Sequence, residues 1–278
     1  MTLAIGIDVG GTKIAAGLVD TATGAVQERF ELATDAGRAA SAVLADCIAL
    51  AEELAEGHGG IPIGMGVCEL VDRHGRTRSA VTVDWRDVDL AAAFGPLGRA
   101  AIESDVRAAA VAEARFGAGR GAQELLYVTV STGISHCLVV DGRAYAGARG
   151  NAICTGAPPL EDVASGLALA RAGHRERAQD VLADPALGGV VAIAAAALGT
   201  GLAGLVNALD PGALVIGGGL GLAERYRGLA IAAMRPLIFA ENTRDLPVLP
   251  AELGADAGVI GAALAAVSLV RSASPDPA

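Results

Sequence analysis

The chain has 278 residues, 53% of them hydrophobic but only 3% aromatic, with 38 glycines and a formal net charge of −10. That length fits one large domain or two ordinary ones, with a core built from aliphatic side chains. The acidic balance excludes nucleic acid and an anionic membrane as main partners, so any bound phosphate needs local backbone N–H groups and a metal. The four cysteines, Cys47, Cys68, Cys137 and Cys154, are widely spaced with no CxxC pair, which fits a reducing cytoplasm. No basic segment precedes the first strand, so no signal peptide is expected.

The first segment, Ile5-Gly6-Ile7-Asp8-Val9-Gly10-Gly11-Thr12-Lys13 followed by Ile14–Val19, reads as strand, tight turn, strand. Its glycines let a ligand approach the backbone, and freed N–H groups with Thr12 and Lys13 can face a phosphate. Asp8, at the strand end, can hold a divalent metal through a water. An ordinary glycine hairpin fits the same residues, and the spacing is not that of a Walker loop. A third strand follows at Val26–Leu32, then a helical period over Gly37–Glu56 and a buried strand within Ile61–Leu70. Thr82–Asp89 is a loop holding the only tryptophan, Trp85. Leu90–Arg99 reads as a short helix, Ala100–Ser104 as a strand ending in Asp105, and Val106–Phe116 as a helix.

The pattern then repeats. Leu125–Val130, the turn Ser131-Thr132-Gly133, and Ile134–Val140 restate the opening device, which suggests a duplicated α/β domain with a cleft between its lobes. Asp141-Gly142 turns into Arg143-Ala144-Tyr145. Helices are expected at Val163–Ala172, Arg175–Ala183 and Val190–Leu209. The last is broken by glycines and small residues, and reads as a buried helix rather than a membrane span. A strand at Ala213–Ile216 is closed by Gly217-Gly218-Gly219. A helix at Leu222–Leu237, a strand at Leu246–Ala251 and a helix at Ala257–Val270 complete the chain, with a frayed tail at Ser272–Ala278.

The Asp8 hairpin, Ser104-Asp105 at a strand–helix junction, the Ser131-Thr132-Gly133 hairpin and the triple glycine, in this order and spacing, resemble the actin-like ATPase superfold of sugar kinases. Within it the chain resembles the ROK family (repressors, open reading frames, kinases). The likeness is close at Ile5–Asp20, at Gly199–Leu220, where Asn207-Ala208-Leu209-Asp210-Pro211 precedes the glycine loop, and at Gly254–Ala266. The resemblance implies a duplicated, ribonuclease H-like α/β fold with a smaller lobe at 1–103, a larger lobe at 104–258 and a closing helix at 259–278. It implies a cytoplasmic homodimer that uses ATP and Mg²⁺ to phosphorylate a small-molecule sugar. Asp105 matches the general base, although an aspartate starting a helix is also a good N-cap. Asp8 matches the metal-associated acid. Gly10, Gly11, Thr12 and Lys13 match the first phosphate loop, and Ser131, Thr132 and Gly133 the second. Gly217, Gly218 and Gly219 match the loop passing close to the adenosine, which outweighs the alternative of a helix-packing turn.

The departures fall mostly on the acceptor side. Ser131 and Ser135 replace two glycines of the second loop, and Ser104 replaces the asparagine that normally precedes the base. Gly66-Val67-Cys68-Glu69 replaces Gly-x-Pro-Gly, which puts an acidic side chain where backbone would meet the sugar. Asn151 and Cys154 stand where a Glu-x-x-His motif has its glutamate and histidine. The cysteine-rich zinc knuckle has no counterpart, so no zinc site is expected. Glu161 matches a later sugar-binding glutamate, or is an exposed helix-start carboxylate. The implied acceptor set is Glu69, Glu103, Ser104, Asp105, Asn151 and Glu161. Negative charge from Glu69, Glu103 and Glu161 would pair with an ammonium group, which favours an aminosugar such as kanosamine over glucose, phosphorylated at O6. A sugar sensor derived from such a kinase is the alternative, against which Asp8, Thr12 and Asp105 together argue. His136, beside the second turn, either faces the ligand or is packed in the sheet.

Overall fold

The computed structural model describes residues 3–35, 37–155 and 158–273. The chain forms two compact units: Met1–Ala112 with Ala146–Ala152 and Ala255–Ala278, and Glu113–Tyr145 with Ile153–Gly254.

The first unit holds β1 (Leu3–Val9), β2 (Lys13–Asp20), β3 (Ala25–Ala33), α1 (Ala40–Leu54), β4 (Ile63–Val67), β5 (Ala101–Ser104) and the start of α2 (Asp105–Phe116). The sheet order is β3-β2-β1-β4-β5. β2 runs antiparallel to β1 and β3, whereas β4 runs parallel to β1 and β5. β1, β2 and β4 are near-continuous apolar runs because both their faces are covered. β3 carries Glu28, Arg29 and Glu31 at the sheet edge, where charge discourages pairing with another chain. Ile5, Ile7, Ile14, Val43, Leu50 and Met65 form the core with Trp85, which its loop turns fully inward. The helix expected at Leu90–Arg99 is instead a run of turns with one 3₁₀ turn at Gly95–Leu97. Gly95 and Gly98 take positive φ around Pro96, a sequence that no α-helix tolerates.

The second unit holds β6 (Glu124–Val130), β7 (Ile134–Val140), β8 (Arg143–Ala144), α3 (Pro158–Ala164), α4 (Gly166–Ala172), α5 (Ala178–Ala183), α6 (Gly188–Leu209), β9 (Ala213–Gly217), α7 (Glu224–Met234) and β10 (Val248–Pro250). Its sheet order, β8-β7-β6-β9-β10, repeats the first strand for strand. The directions repeat too: an antiparallel triplet, then two parallel neighbours. The duplicated α/β fold read from the two hairpins is therefore what the chain adopts. The single helix expected at Val163–Ala172 is split at Ser165, whose Oγ accepts the Ala168 N–H at 3.1 Å and starts α4 afresh. The stretch Pro185–Leu209 is long and apolar enough to cross a membrane. Here it is a core helix: Val191, Leu198, Leu202 and Val206 are buried with Leu126 and Val128 of β6, Leu214 of β9 and Tyr226 of α7.

The last helix, α8 (Ala257–Ala273), belongs to the first unit and lies on β1 and β4. The glycines inside those strands are what permit it. A β-carbon on Gly6 would strike the Val259 carbonyl, and one on Gly64 the carbonyl of Ala262. Gly261 does the same for α8 against Ala108 of α2. The helix runs to Ala273, and the rest of the expected frayed tail lies outside the described residues.

Candidate active site

Three parallel strands of the first unit end together. Asp8 on β1 is in register with Gly66 on β4, which is in register with Glu103 on β5, and Ser104 and Asp105 follow directly after Glu103. Such strand ends are where open α/β sheets bind ligands. A β-carbon on Gly66 would lie 3.6 Å from Asp8 Oδ1 and 3.7 Å from the Asp105 Cα, so the glycine sits between the two acids. Asp8 is held up at about 7, by burial first and then by the Asp105 charge, against the pull of Lys13 and Arg29. Burial also raises Asp105. Hydrogen bonds from the Val106 N–H at 2.7 Å, the Cys68 thiol and the Ser104 hydroxyl at 3.4 Å oppose that rise. The Cys68 thiol is itself pushed up to about 12 by desolvation and by Asp105. Asp8 is a hard oxygen donor suited to Mg²⁺, whose charge would favour the ionised carboxylate that burial and Asp105 disfavour. Among the described residues no group of three or more His, Cys, Asp or Glu could hold a metal. A magnesium ion here would therefore complete its shell with phosphate oxygens and water.

The first turn is braced from its own unit. The Gly10 N–H donates to the Lys13 carbonyl at 2.9 Å, and Thr34 Oγ1 donates to the Gly10 carbonyl at 2.7 Å. Gly11 and Thr12 are left exposed at its tip. Lys13, expected on phosphate, pairs with Glu31 at 3.1 Å. Both side chains are more than 40% exposed (43% and 42%). Such an exposed pair is weakened by water and salt, and a phosphate can compete for it.

Three expected acceptor residues have other partners. Glu69 is buried, and both its oxygens are taken. Oε1 accepts the N–H groups of Thr82 at 2.6 Å and Val83 at 3.1 Å, and Oε2 accepts the Val81 N–H at 2.9 Å and the Ser79 hydroxyl. It therefore holds the loop at 79–83 rather than reading a sugar, and that loop brings Thr82 to the Gly11 turn. Glu103 is neutralised by Arg107, whose Nε donates to it at 2.6 Å. Ser104 is fully buried and turns its hydroxyl to Asp105. Glu69 and the half-buried Glu103 have met donors of their own unit, and the buried Ser104 hydroxyl has met an acceptor, because leaving a buried polar group unpaired would be costly. Asn151 is exposed, in the segment Ala146–Ala152 that belongs to the same unit as Asp105. Arg107 escaped notice in the sequence, although its i+4 spacing from Glu103 is the signal for a helical ion pair.

In the second unit, Ser131 and Thr132 are exposed at the turn after β6, and the Ser131 N–H donates to the Gly133 carbonyl at 2.9 Å. The triple glycine folds over the same strand end: Leu220 and Gly221 donate their N–H groups to the Val130 carbonyl at 3.0 and 2.9 Å. Gly218 has φ +78° and has no room for a β-carbon beside that carbonyl. Glu161 Oε2 accepts the Ile134 N–H at 2.9 Å and packs against Gly133, so this carboxylate stands at the second turn. His136 is buried in the sheet, with Nδ1 3.2 Å from Thr155 Oγ1 and its pKa lowered by burial. Cys154 is exposed, pairing through its backbone with Ser135.

Comparison with known proteins fits this arrangement. The family model described as ROK family matches residues 4–268. The glucokinase of Streptomyces coelicolor is 31% identical, across 100% of this chain and 99% of that protein. The bifunctional enzyme NanE/NanK of Brucella melitensis is 39% identical across 58% of this chain. The match spans about a third of the length of that relative and of its Brucella suis counterpart, 34% and 33%. Among solved structures, the ROK family glucokinase from Streptomyces griseus in complex with glucose and AMPPNP has a TM-score of 0.83 at 28% identity, covering 96% of this chain and 99% of that one. The ROK hexokinase from Thermus thermophilus has a TM-score of 0.81 at 31% identity, covering 97% and 99%. With a family model across nearly its whole length and relatives matched end to end, the chain belongs to the ROK family.

Proposed function

We propose that the chain is an ATP-dependent sugar kinase that transfers the γ-phosphoryl group to O6 of a hexose or aminohexose. The observation that carries this reading is the pair Asp8 and Asp105 flanking Gly66 at the ends of parallel strands, in a fold shared with a glucokinase that holds glucose and AMPPNP. Asp105 takes the proton from the sugar hydroxyl as the hydroxyl oxygen attacks the γ-phosphorus, and the bond from that phosphorus to the β-phosphate oxygen breaks to release ADP. Burial raises its pKa above the ordinary carboxylate range, which makes it a stronger proton acceptor. Gly10, Gly11, Thr12 and Lys13 of the first turn, and Ser131, Thr132 and Gly133 of the second, are the proposed phosphate-binding residues. Gly217, Gly218 and Gly219 give the adenosine a side-chain-free surface. A magnesium ion, held by Asp8 through water, would neutralise charge on the phosphates.

The acceptor is proposed to be an aminosugar such as kanosamine rather than glucose. Glu69 and Glu103 no longer support that choice, because their charges are used internally. What supports it is Glu161, which has one carboxylate oxygen beyond its bond to Ile134, and the replacements at Asn151 and Cys154. The test is ADP release with Mg²⁺–ATP across a panel of hexoses and aminohexoses. Turnover with an aminohexose leading is expected. A glucose preference over every aminosugar overturns the acceptor choice. Sugar-induced thermal shifts without any turnover would make the protein a sensor.

A further inference from the structure

Arg107 is 2% exposed and among the largest fully buried side chains of the described residues. Its guanidinium joins three places at once. Nε and Nη2 bind Glu103 Oε1 at 2.6 and 2.5 Å. Nη1 donates to the Gly150 carbonyl at 2.7 Å, and Nη2 to the Val71 carbonyl at 2.7 Å. The two carbonyls lie in separate loops. One loop follows Cys68-Glu69, and the other carries Asn151. Those loops are in backbone contact, because Gly150, at φ +85°, leaves no room for a β-carbon beside the Val71 carbonyl. Arg107 itself stands two residues after Asp105 on one rigid helix.

We propose that Arg107 is a positioning residue for the acceptor: it clamps the Asn151 segment and the loop after Glu69 at a fixed place relative to Asp105. The acceptor role rests on the kinase reading, and the clamp does not. A planar fork with five donors can bind a carboxylate and two divergent carbonyls together, which a lysine ammonium on a flexible stem cannot. Glu103 supplies the countercharge that lets the cation be buried.

Arg107→Lys keeps the charge opposite Glu103 and removes the fork. Amide hydrogen exchange in Ala146–Ala152 is expected to rise about tenfold or more in this variant, without nucleotide or sugar present. The KM for the acceptor is expected to rise about tenfold with the KM for ATP within about twofold, a split that general loosening of the fold would not give. If Arg107→Lys does not fold, the double variant R107M/E103M replaces the buried pair with apolar side chains of similar size, and the same split is expected of it. Unchanged exchange in Ala146–Ala152 overturns the clamp. Equal rises in both KM values overturn the acceptor role. A wild-type protein that phosphorylates no sugar overturns the kinase reading and the acceptor role with it, while the exchange comparison still decides the clamp.

Discussion

The carboxylate of Asp8 occupies the place that a β-carbon on Gly258 would take. Gly258 is in the first turn of α8, whose N–H groups favour a neighbouring negative charge. A methyl group there pushes Asp8 away from its seat. Gly258→Ala is expected to lose about 2 kcal/mol of stability in urea and most of the turnover. Gly66→Ala meets Asp8 Oδ1 at 3.6 Å, an ordinary contact, and is expected to cost less than the Gly258 change. Equal melting of the two variants would separate Asp8 from α8.

Asp8 makes stability and ligand response depend on pH. Its pKa is raised from 3.8 to about 7, so between those values the folded chain binds a proton that the unfolded chain lacks. The stability that proton contributes is complete at the acid end and is lost as pH rises through 7. A divalent cation reverses the sign, because it binds the ionised form. Mg²⁺ with a non-hydrolysable ATP analogue should therefore raise the melting temperature more at pH 8 than at pH 6. Turnover should fall on the acid side as Asp8 and Asp105 take up protons. A thermal shift that is equal at the two pH values would remove Asp8 from the metal.

Glu69 is expected to act as a structural clasp. Glu69→Gln puts an amide where two oxygens now accept four donors, and should cost about 2–3 kcal/mol. The ratio of kcat/KM between an aminosugar and its parent hexose should stay unchanged. A stable variant with altered sugar preference would return Glu69 to the acceptor site.

The triple glycine gives a test on the nucleotide side. Gly218→Ala forces a side chain into φ +78° against the Val130 carbonyl. Displacement of the loop should raise the KM for ATP by about tenfold or more, with the KM for sugar within about twofold. Comparable effects on both would place the loop's influence outside the nucleotide site.

These residues also mark what the sequence discloses. Asp8 and Asp105 are readable because each stands at the end of a strand, one before a glycine turn and the other at a helix start. The repeat of strand–turn–strand at Leu125–Val140 was enough to foresee the second sheet. Local pattern fails where the partner is distant. The glycines of β1 and β4 answer to α8, about 200 residues or more along the chain. Glu69 was visible as a carboxylate, yet the N–H groups it accepts come from a loop that folds back only in three dimensions. Arg107 shows the same division: its pairing with Glu103 follows from helix spacing, but Val71 and Gly150 are 36 and 43 residues away.

The central claim is that Asp105 is the base, and Asp105→Asn tests it most directly. The asparagine keeps the size and the hydrogen-bond geometry at the head of α2 but cannot take a proton. With Mg²⁺–ATP and the best sugar of the panel, turnover should fall about a hundredfold or more, while calorimetry shows the sugar still binding within a few-fold of the wild type. Turnover that stays close to the wild-type rate in Asp105→Asn would contradict the mechanism.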